Sequence, residues 1–128
     1  MDNFASEFGF TNDQLHAVAA KGFDLVEAGD LDGAATIFHG LVALSPTSGR
    51  FHAALGSVLQ VQGQLSDAEA SYNVALALDG DAVLARVNRG ELRCMRADPG
   101  GIEDLKVAAS SPSPVQARAQ ALLRRYAR

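Results

Sequence analysis

A repeat of 34 residues limits what this chain can fold into. When residues 15–48 are placed over residues 49–82, small, apolar and aromatic residues fall on residues of the same kind. The matching pairs are Gly22 with Gly56, Leu25 with Leu59, Gly29 with Gly63, Leu31 with Leu65, Ala34 with Ala68 and Phe38 with Tyr72. A period of this length is typical of stacked helical hairpins, because one hairpin cannot bury its apolar face alone. The repeat therefore predicts an all-α fold.

The repeated glycines predict two different features of each hairpin. Gly22 and Gly56 lack a side chain where the two helices of a hairpin cross closely, and Gly29 and Gly63 suit a left-handed residue at a helix end. The rings of Phe38 and Tyr72 are predicted to fill the space between one hairpin and the next.

Signals for helix ends agree with the repeat. The pairs Thr11/Gln14 and Ser66/Glu69 have the spacing of a capping box, in which two side chains satisfy backbone N–H groups at a helix start. Together with the apolar spacing, these signals predict helices at about 12–28, 31–44, 48–62, 65–78, 82–96, 100–109 and 114–127.

Nine residues resemble the signature positions of the tetratricopeptide repeat, namely Gly22, Ala34, Phe38, Pro46, Leu55, Gly56, Ala68, Tyr72 and Ala75. The resemblance implies a single-domain α-solenoid over residues 1–128. Its three hairpins are expected at about 15–48, 49–82 and 83–112, and a C-terminal capping helix at about 113–127. The third hairpin departs from the pattern: Arg89 and Arg93 replace apolar residues, and one residue is missing before Leu105.

Composition favours a cytoplasmic protein. No apolar run approaches the about 20 residues that a membrane span needs, so no membrane segment is expected. The start of the chain lacks the basic and apolar regions of a signal peptide, and the single cysteine, Cys94, cannot form a disulfide within the chain.

Charge is distributed unevenly along the chain. Residues 1–82 have eleven Asp and Glu against two Lys and Arg, a net charge of -9, whereas residues 83–128 have four against nine, a net charge of +5. Within the basic part, Arg86, Arg89, Arg93 and Arg96 share one helix face. We interpret this face first as solvated or ion-paired with Glu91, Asp98, Glu103 and Asp104, second as a protein contact, and only third as a nucleic-acid site. No nucleic-acid partner is predicted.

The sequence contains no recognisable catalytic or metal-binding pattern. His16, His39 and His52 fall on different predicted helices, and none pairs with Cys94 as a base would pair with a nucleophile. Residues 98–101 lack the lysine and hydroxyl of a phosphate-binding loop. The acidic residues of the turns are explained by helix capping. No enzyme activity, metal or cofactor is predicted.

The resemblance to tetratricopeptide repeats implies a concave groove lined by the first helix of each hairpin, where a segment of another protein binds. The residues at the inward positions are His16, Ala19, Phe23, Val26, Arg50, Ala53, Ser57, Gln60, Leu84, Val87 and Glu91. Packing between helices is the alternative role for each of them, above all for Phe23 and Val26.

Residues 48–63, preceded by Phe38 and Leu41, resemble more narrowly the middle repeat of the class II chaperones of type III secretion. That family consists of small cytoplasmic proteins that hold translocator proteins through a bound segment, commonly as dimers formed through an N-terminal helix. A generic scaffold or regulatory adaptor is the alternative function. Phe4, Phe8 and Phe10 precede the repeats, and either fold back on the first hairpin or complete a homodimer.

Overall fold

The computed structural model describes residues 4–127, and these residues form eight α-helices and no strand. The helices are α1 (Phe4–Glu7), α2 (Asn12–Glu27), α3 (Leu31–Leu44), α4 (Gly49–Val61), α5 (Leu65–Leu78), α6 (Val83–Met95), α7 (Gly100–Ala109) and α8 (Gln116–Tyr126). The all-α fold is confirmed, and every end of the seven predicted helices is correct to within two residues. The short helix α1 was not predicted. Residues 1–3, part of the stretch judged to lack a signal peptide, lie outside the described residues.

The chain divides into two compact units, with the boundary between Leu78 and Asp79. Helices α1–α5 form the first unit, which holds the hairpins α2–α3 and α4–α5. Helices α6–α8 form the second unit, in which the hairpin α6–α7 is followed by α8. None of the helices within residues 4–127 has the length and apolar character that crossing a membrane requires.

In the first unit, each glycine at a helix crossing contacts an aromatic ring of its own hairpin. A Cβ atom on Gly22 would lie 2.8 Å from the Phe38 ring, and one on Gly56 would lie 2.6 Å from the Tyr72 ring. Both rings are fully buried. The predicted close crossings are confirmed, and each ring lies against the glycine of its own hairpin. That the two rings also fill the space between one hairpin and the next stays a prediction. The missing side chain makes the space that the ring fills.

The turns of the first unit show which predicted helix ends are correct. Thr11 and Gln14 form the capping box, with bonds of 2.8 and 3.1 Å, and Gly29 and Gly63 have the predicted positive φ of 83° and 82°. The second capping box is wrong. Helix α5 begins at Leu65, because the chain already turns into the helix after Gly63, so Ser66 lies inside the helix and not at its cap.

In the second unit, the hairpin α6–α7 is one residue shorter than the others. Gly90 contacts Leu105, as a Cβ atom on Gly90 would lie 2.9 Å from the leucine side chain. This glycine and its partner are 15 residues apart, whereas Gly22 and Gly56 are each 16 residues from their ring. The predicted missing residue is therefore confirmed. The same hairpin has a close backbone approach at Gly101, where a Cβ atom would lie 2.7 Å from the backbone of α6.

Helix α8 closes the second unit. Val87 of α6, Leu105 and Ala108 of α7, and Ala119 and Leu122 of α8 form one buried cluster. Arg124 and Arg125 are exposed on the opposite side of α8, so the helix covers the apolar edge of the last hairpin as a cap is expected to do.

The N-terminal segment packs onto the first unit through Ala5, which is fully buried, while α1 lies against α3. The rings of Phe4, Phe8 and Phe10 stay exposed, and Phe8 is 72% exposed. The segment thus folds back on the first hairpin without covering its three rings.

Candidate peptide-binding surfaces

The first candidate surface consists of one row of residues on α2 and one on α4, and we call it the α2–α4 face. Each row has intervals of three, four and three residues, which place its members on one side of a helix. His16, Phe23 and Arg50 are exposed, Ala19 is buried, and Val26, Ala53, Ser57 and Gln60 are half-buried. The two helices meet at His16 and Phe51, whose ring centroids are 6.2 Å apart.

Phe23 is the main apolar group of this face. Its ring packs against the buried ring of Phe38, with 5.0 Å between the centroids, yet half of Phe23 remains exposed. A ring held on one side and open on the other has little conformational freedom to lose when it contacts a partner. Both roles considered for Phe23, packing and binding, are compatible with this geometry.

The polar groups on α4 are held in place by hydrogen bonds. The hydroxyl of Tyr72 donates to Gln60 Oε1 over 2.7 Å, and the hydroxyl of Ser57 donates to the carbonyl oxygen of Ala53 over 3.2 Å. Gln60 is therefore fixed by a residue of the neighbouring helix α5. The small side chains of Ala53 and Ser57 lie between Gln60 and the exposed Arg50 along α4.

The second candidate surface lies on α6 and includes Leu84, Asn88 and Glu91, which share one side of the helix; we call it the α6 face. Leu84 is exposed and Glu91 is half-buried. Val87, which the sequence also assigned to the groove, is a fully buried member of the core formed with α7 and α8. Its side chain lies in the core beneath the α6 face and packs there without contacting solvent.

Helix α8 adds a residue to the α6 face that the sequence did not predict. Arg118 donates to Asn88 Oδ1 over 2.7 Å and to Glu91 Oε1 over 2.9 Å. Arg118 and Glu91 are 27 residues apart, and no local spacing connects them. The sequence predicted α8 only as a capping helix, which gave no signal for the contact of Arg118 with α6.

The basic stripe of α6 is ion-paired, as its first interpretation proposed. Arg86, Arg89 and Arg93 all donate to the carboxylate of Asp104 on α7, at distances of 3.4, 2.7 and 3.1 Å. Asp104 is buried, so its desolvation is offset by charged donors. Arg96 is exposed. The stripe thus joins α6 to α7.

No nucleophile or metal site accompanies these surfaces. Burial raises the pKa of the Cys94 thiol above its ordinary value of 9.0, and the negative charges of Asp104, Asp98 and Glu91 raise it further. The thiolate is the reactive form, so Cys94 is a poor nucleophile at neutral pH. Between residues 4 and 127 there is no group of three side chains suited to holding a metal ion.

Comparison with known proteins identifies the repeat. Residues 25–87 match the sequence model of the tetratricopeptide repeat family. A comparison with curated protein sequences gives no match.

Solved structures extend the similarity to almost the whole chain. SycD, the type III secretion translocator chaperone of Yersinia enterocolitica, is 20% identical, with 98% of each chain covered and a TM-score of 0.89. PcrH of Pseudomonas aeruginosa has been solved in complex with the chaperone binding region of PopD. That structure is 26% identical, with 93% of this chain and 95% of PcrH covered and a TM-score of 0.82. In complex with the chaperone binding region of PopB, PcrH is 27% identical, with 90% and 98% covered and a TM-score of 0.80.

Proposed function

We propose that this tetratricopeptide-repeat protein, which has the fold of the translocator chaperones of type III secretion, is itself a cytoplasmic chaperone that binds a segment of a hydrophobic translocator. The observation that carries the proposal is the similarity to PcrH in complex with regions of two translocators, PopD and PopB. The α2–α4 face supports the proposal. The ring of Phe23 is anchored and half-exposed, so an apolar side chain of a bound segment can pack against it.

The binding residues we assign have distinct roles. Phe23, with Val26 and the buried Ala19 beside it, forms the apolar contact on α2. Ala53 and Ser57 leave room for a bulky side chain of the segment, and the polar residues His16, Arg50 and Gln60 bind its polar groups. On the α6 face of the second unit, Leu84 and Glu91 are the proposed contact residues, and Val87 supports them from the core.

We also propose that the protein catalyses no reaction. The raised pKa of the Cys94 thiol supports this, because it opposes the formation of a thiolate at neutral pH. The fold supports it as well, since the similar solved structures are described as chaperones and their complexes.

The groove variant Arg50→Glu/Ala53→Trp tests the binding face. One change reverses a charge and the other fills the space beside Ser57, so we expect a loss of binding by at least about 100-fold. Binding is measured as fluorescence anisotropy of labelled PopD and PopB chaperone binding regions, and of the partner that co-purifies from the source cell and is identified by mass spectrometry. Helical content and melting temperature should stay close to those of the parent.

Asp67→Lys provides the control, because Asp67 is an exposed residue of α5 outside the proposed face. It should leave binding of every segment intact. Parental affinity in the groove variant, together with weakened binding in Asp67→Lys, would contradict the proposed face.

We further propose a homodimer formed through the N-terminal segment. Phe4, Phe8 and Phe10 expose three large rings within seven residues, and exposed aromatic clusters of this kind are typical of interaction sites. A structure of SycD in an alternative dimer, 20% identical to this chain, is consistent with association of this fold.

A further inference from the structure

Arg118 lies where a partner segment would cross the α6 face. Its guanidinium bridges Asn88 and Glu91, the second and third residues of the row that begins at Leu84. Asn88 and Glu91 are four and seven residues beyond Leu84, which corresponds to about 6 and 10 Å along the helix. An exposed apolar side chain and the residues that hold the guanidinium thus lie on one side of α6, about 6–10 Å apart along the helix.

The guanidinium retains donors for a partner. An arginine carries five N–H donors, and Arg118 uses two of them for Asn88 and Glu91 among the residues that the structure describes. Its side chain is 41% exposed. The two bonds fix the plane of the guanidinium, so further hydrogen bonds form with little loss of side-chain entropy.

The net charge of the ion pair between Arg118 and Glu91 indicates which kind of hydrogen-bond acceptor fits. Arg118 and Glu91 form an ion pair at 2.9 Å, whose net charge is zero. A carboxylate brought to this guanidinium would also approach the carboxylate of Glu91 and be repelled. A neutral carbonyl oxygen gains a charge-assisted hydrogen bond without that repulsion.

We propose that Arg118 binds a main-chain carbonyl of the partner segment, two or three residues from an apolar side chain that contacts Leu84. An extended chain rises about 3.3 Å per residue, so two or three residues span the distance from Leu84 to the guanidinium. Recognition of the main chain does not depend on the sequence of the segment, and one surface can therefore serve more than one translocator. This inference rests on the proposed function.

The exchange variant Arg118→Glu/Glu91→Arg separates binding from a purely structural role. The exchange keeps an ion pair between α6 and α8, so we expect a melting temperature close to that of the parent. It moves the guanidinium to α6, and we expect the affinity for the labelled PopD and PopB regions to fall about tenfold for both segments. The fall should be equal at low and high salt, because the lost acceptor is uncharged.

One single variant serves as the control. Arg124→Ala should keep the parental affinity, because it removes an exposed arginine of α8 that lies outside the α6 face. Parental affinity in the exchange variant would overturn the inference, as would a tenfold loss in Arg124→Ala, because the loss would then not be specific to the guanidinium of Arg118. A loss confined to acidic segments and abolished by salt would assign a carboxylate in place of the carbonyl. Failure of the parent to bind any segment would instead contradict the proposed function.

Discussion

Ala97 has a backbone conformation that residues with a Cβ atom rarely adopt. Its φ is 57°, and it follows α6 at the position that glycine takes after α2 and α4. The left-handed conformation costs an alanine roughly 1–2 kcal/mol relative to its ordinary conformations, whereas glycine adopts it freely. The third turn therefore contains strain that the first two turns lack.

We expect Ala97→Gly to stabilise the protein by about 0.5–1 kcal/mol, since the relieved strain exceeds the entropy that an added glycine gives the unfolded chain. Urea unfolding followed by circular dichroism measures the change. The same substitution at Ala77, an exposed residue inside α5, should destabilise by about 1 kcal/mol. A loss of stability in both variants would mean that Ala97 is not strained.

At the scale of single residues, the sequence predicts the role of a residue when that role is local and steric. Gly22, Gly56 and the two turn glycines were assigned correctly, because a missing Cβ atom has a meaning that the repeat makes visible. Arg118 was not assigned, because its partners lie on another helix and no spacing in the sequence joins them.

The crossing of α4 and α5 is set by one glycine. We expect Gly56→Leu to destabilise the protein by about 1–3 kcal/mol, because its side chain would enter the space of the buried Tyr72 ring. Thermal unfolding measures the loss. Gly40→Leu is the control, as Gly40 lies in α3 with nothing within 4 Å of its missing Cβ atom. Equal melting temperatures for the two variants would show that the crossing tolerates a side chain.

Helices α6 and α7 are joined by the carboxylate of Asp104. We expect Asp104→Asn to destabilise the protein by about 3 kcal/mol, because three guanidinium groups that are largely buried lose their common counter-charge. Glu103→Gln removes the neighbouring carboxylate, which is exposed and pairs with Lys106 at 3.8 Å, and should cost less than about 0.5 kcal/mol. Chemical unfolding of both variants measures the difference, and similar small losses would contradict the role of Asp104.

Helix positions were predictable because apolar spacing and turn residues agree over whole elements. Individual helix ends were less predictable. The Ser66/Glu69 pair has the spacing of a capping box, but helix α5 already begins at Leu65. Asp104 was named among four acidic residues that could neutralise the arginines. The choice between the four depends on the register of α7, which the missing residue in the third hairpin obscured.

Charge divides the molecule at the boundary of its two units. Residues 1–78 have nine Asp and Glu against two Lys and Arg, a net charge of -7, and residues 79–128 have six against nine, a net charge of +3. The partner-binding residues we propose lie in both. A segment bound to residues of the first unit is therefore expected to meet a net negative charge, and one bound to residues of the second unit a net positive charge.

Dimerisation is the property of the whole molecule that the N-terminal rings predict. We expect the parent to have the mass of a dimer in multi-angle light scattering, and Phe8→Ser to be a monomer with unchanged helical content, because the exposed Phe8 ring supplies apolar contact area. Met95→Ser, a change at an exposed apolar residue of the second unit, should leave the dimer intact. A dimer in both variants would exclude the N-terminal segment as the interface.

The shorter third hairpin determines how a chain of this kind can grow. The first two hairpins share one spacing between glycine and ring, so an inserted copy of either keeps the contact between its own glycine and its own ring. A copy placed over residues 83–112 would lengthen that spacing by one residue and replace Asp104 and its arginines with unrelated side chains. Duplication and recombination are therefore open to the first unit, while the last hairpin and α8 can be inherited only together, as one terminal module.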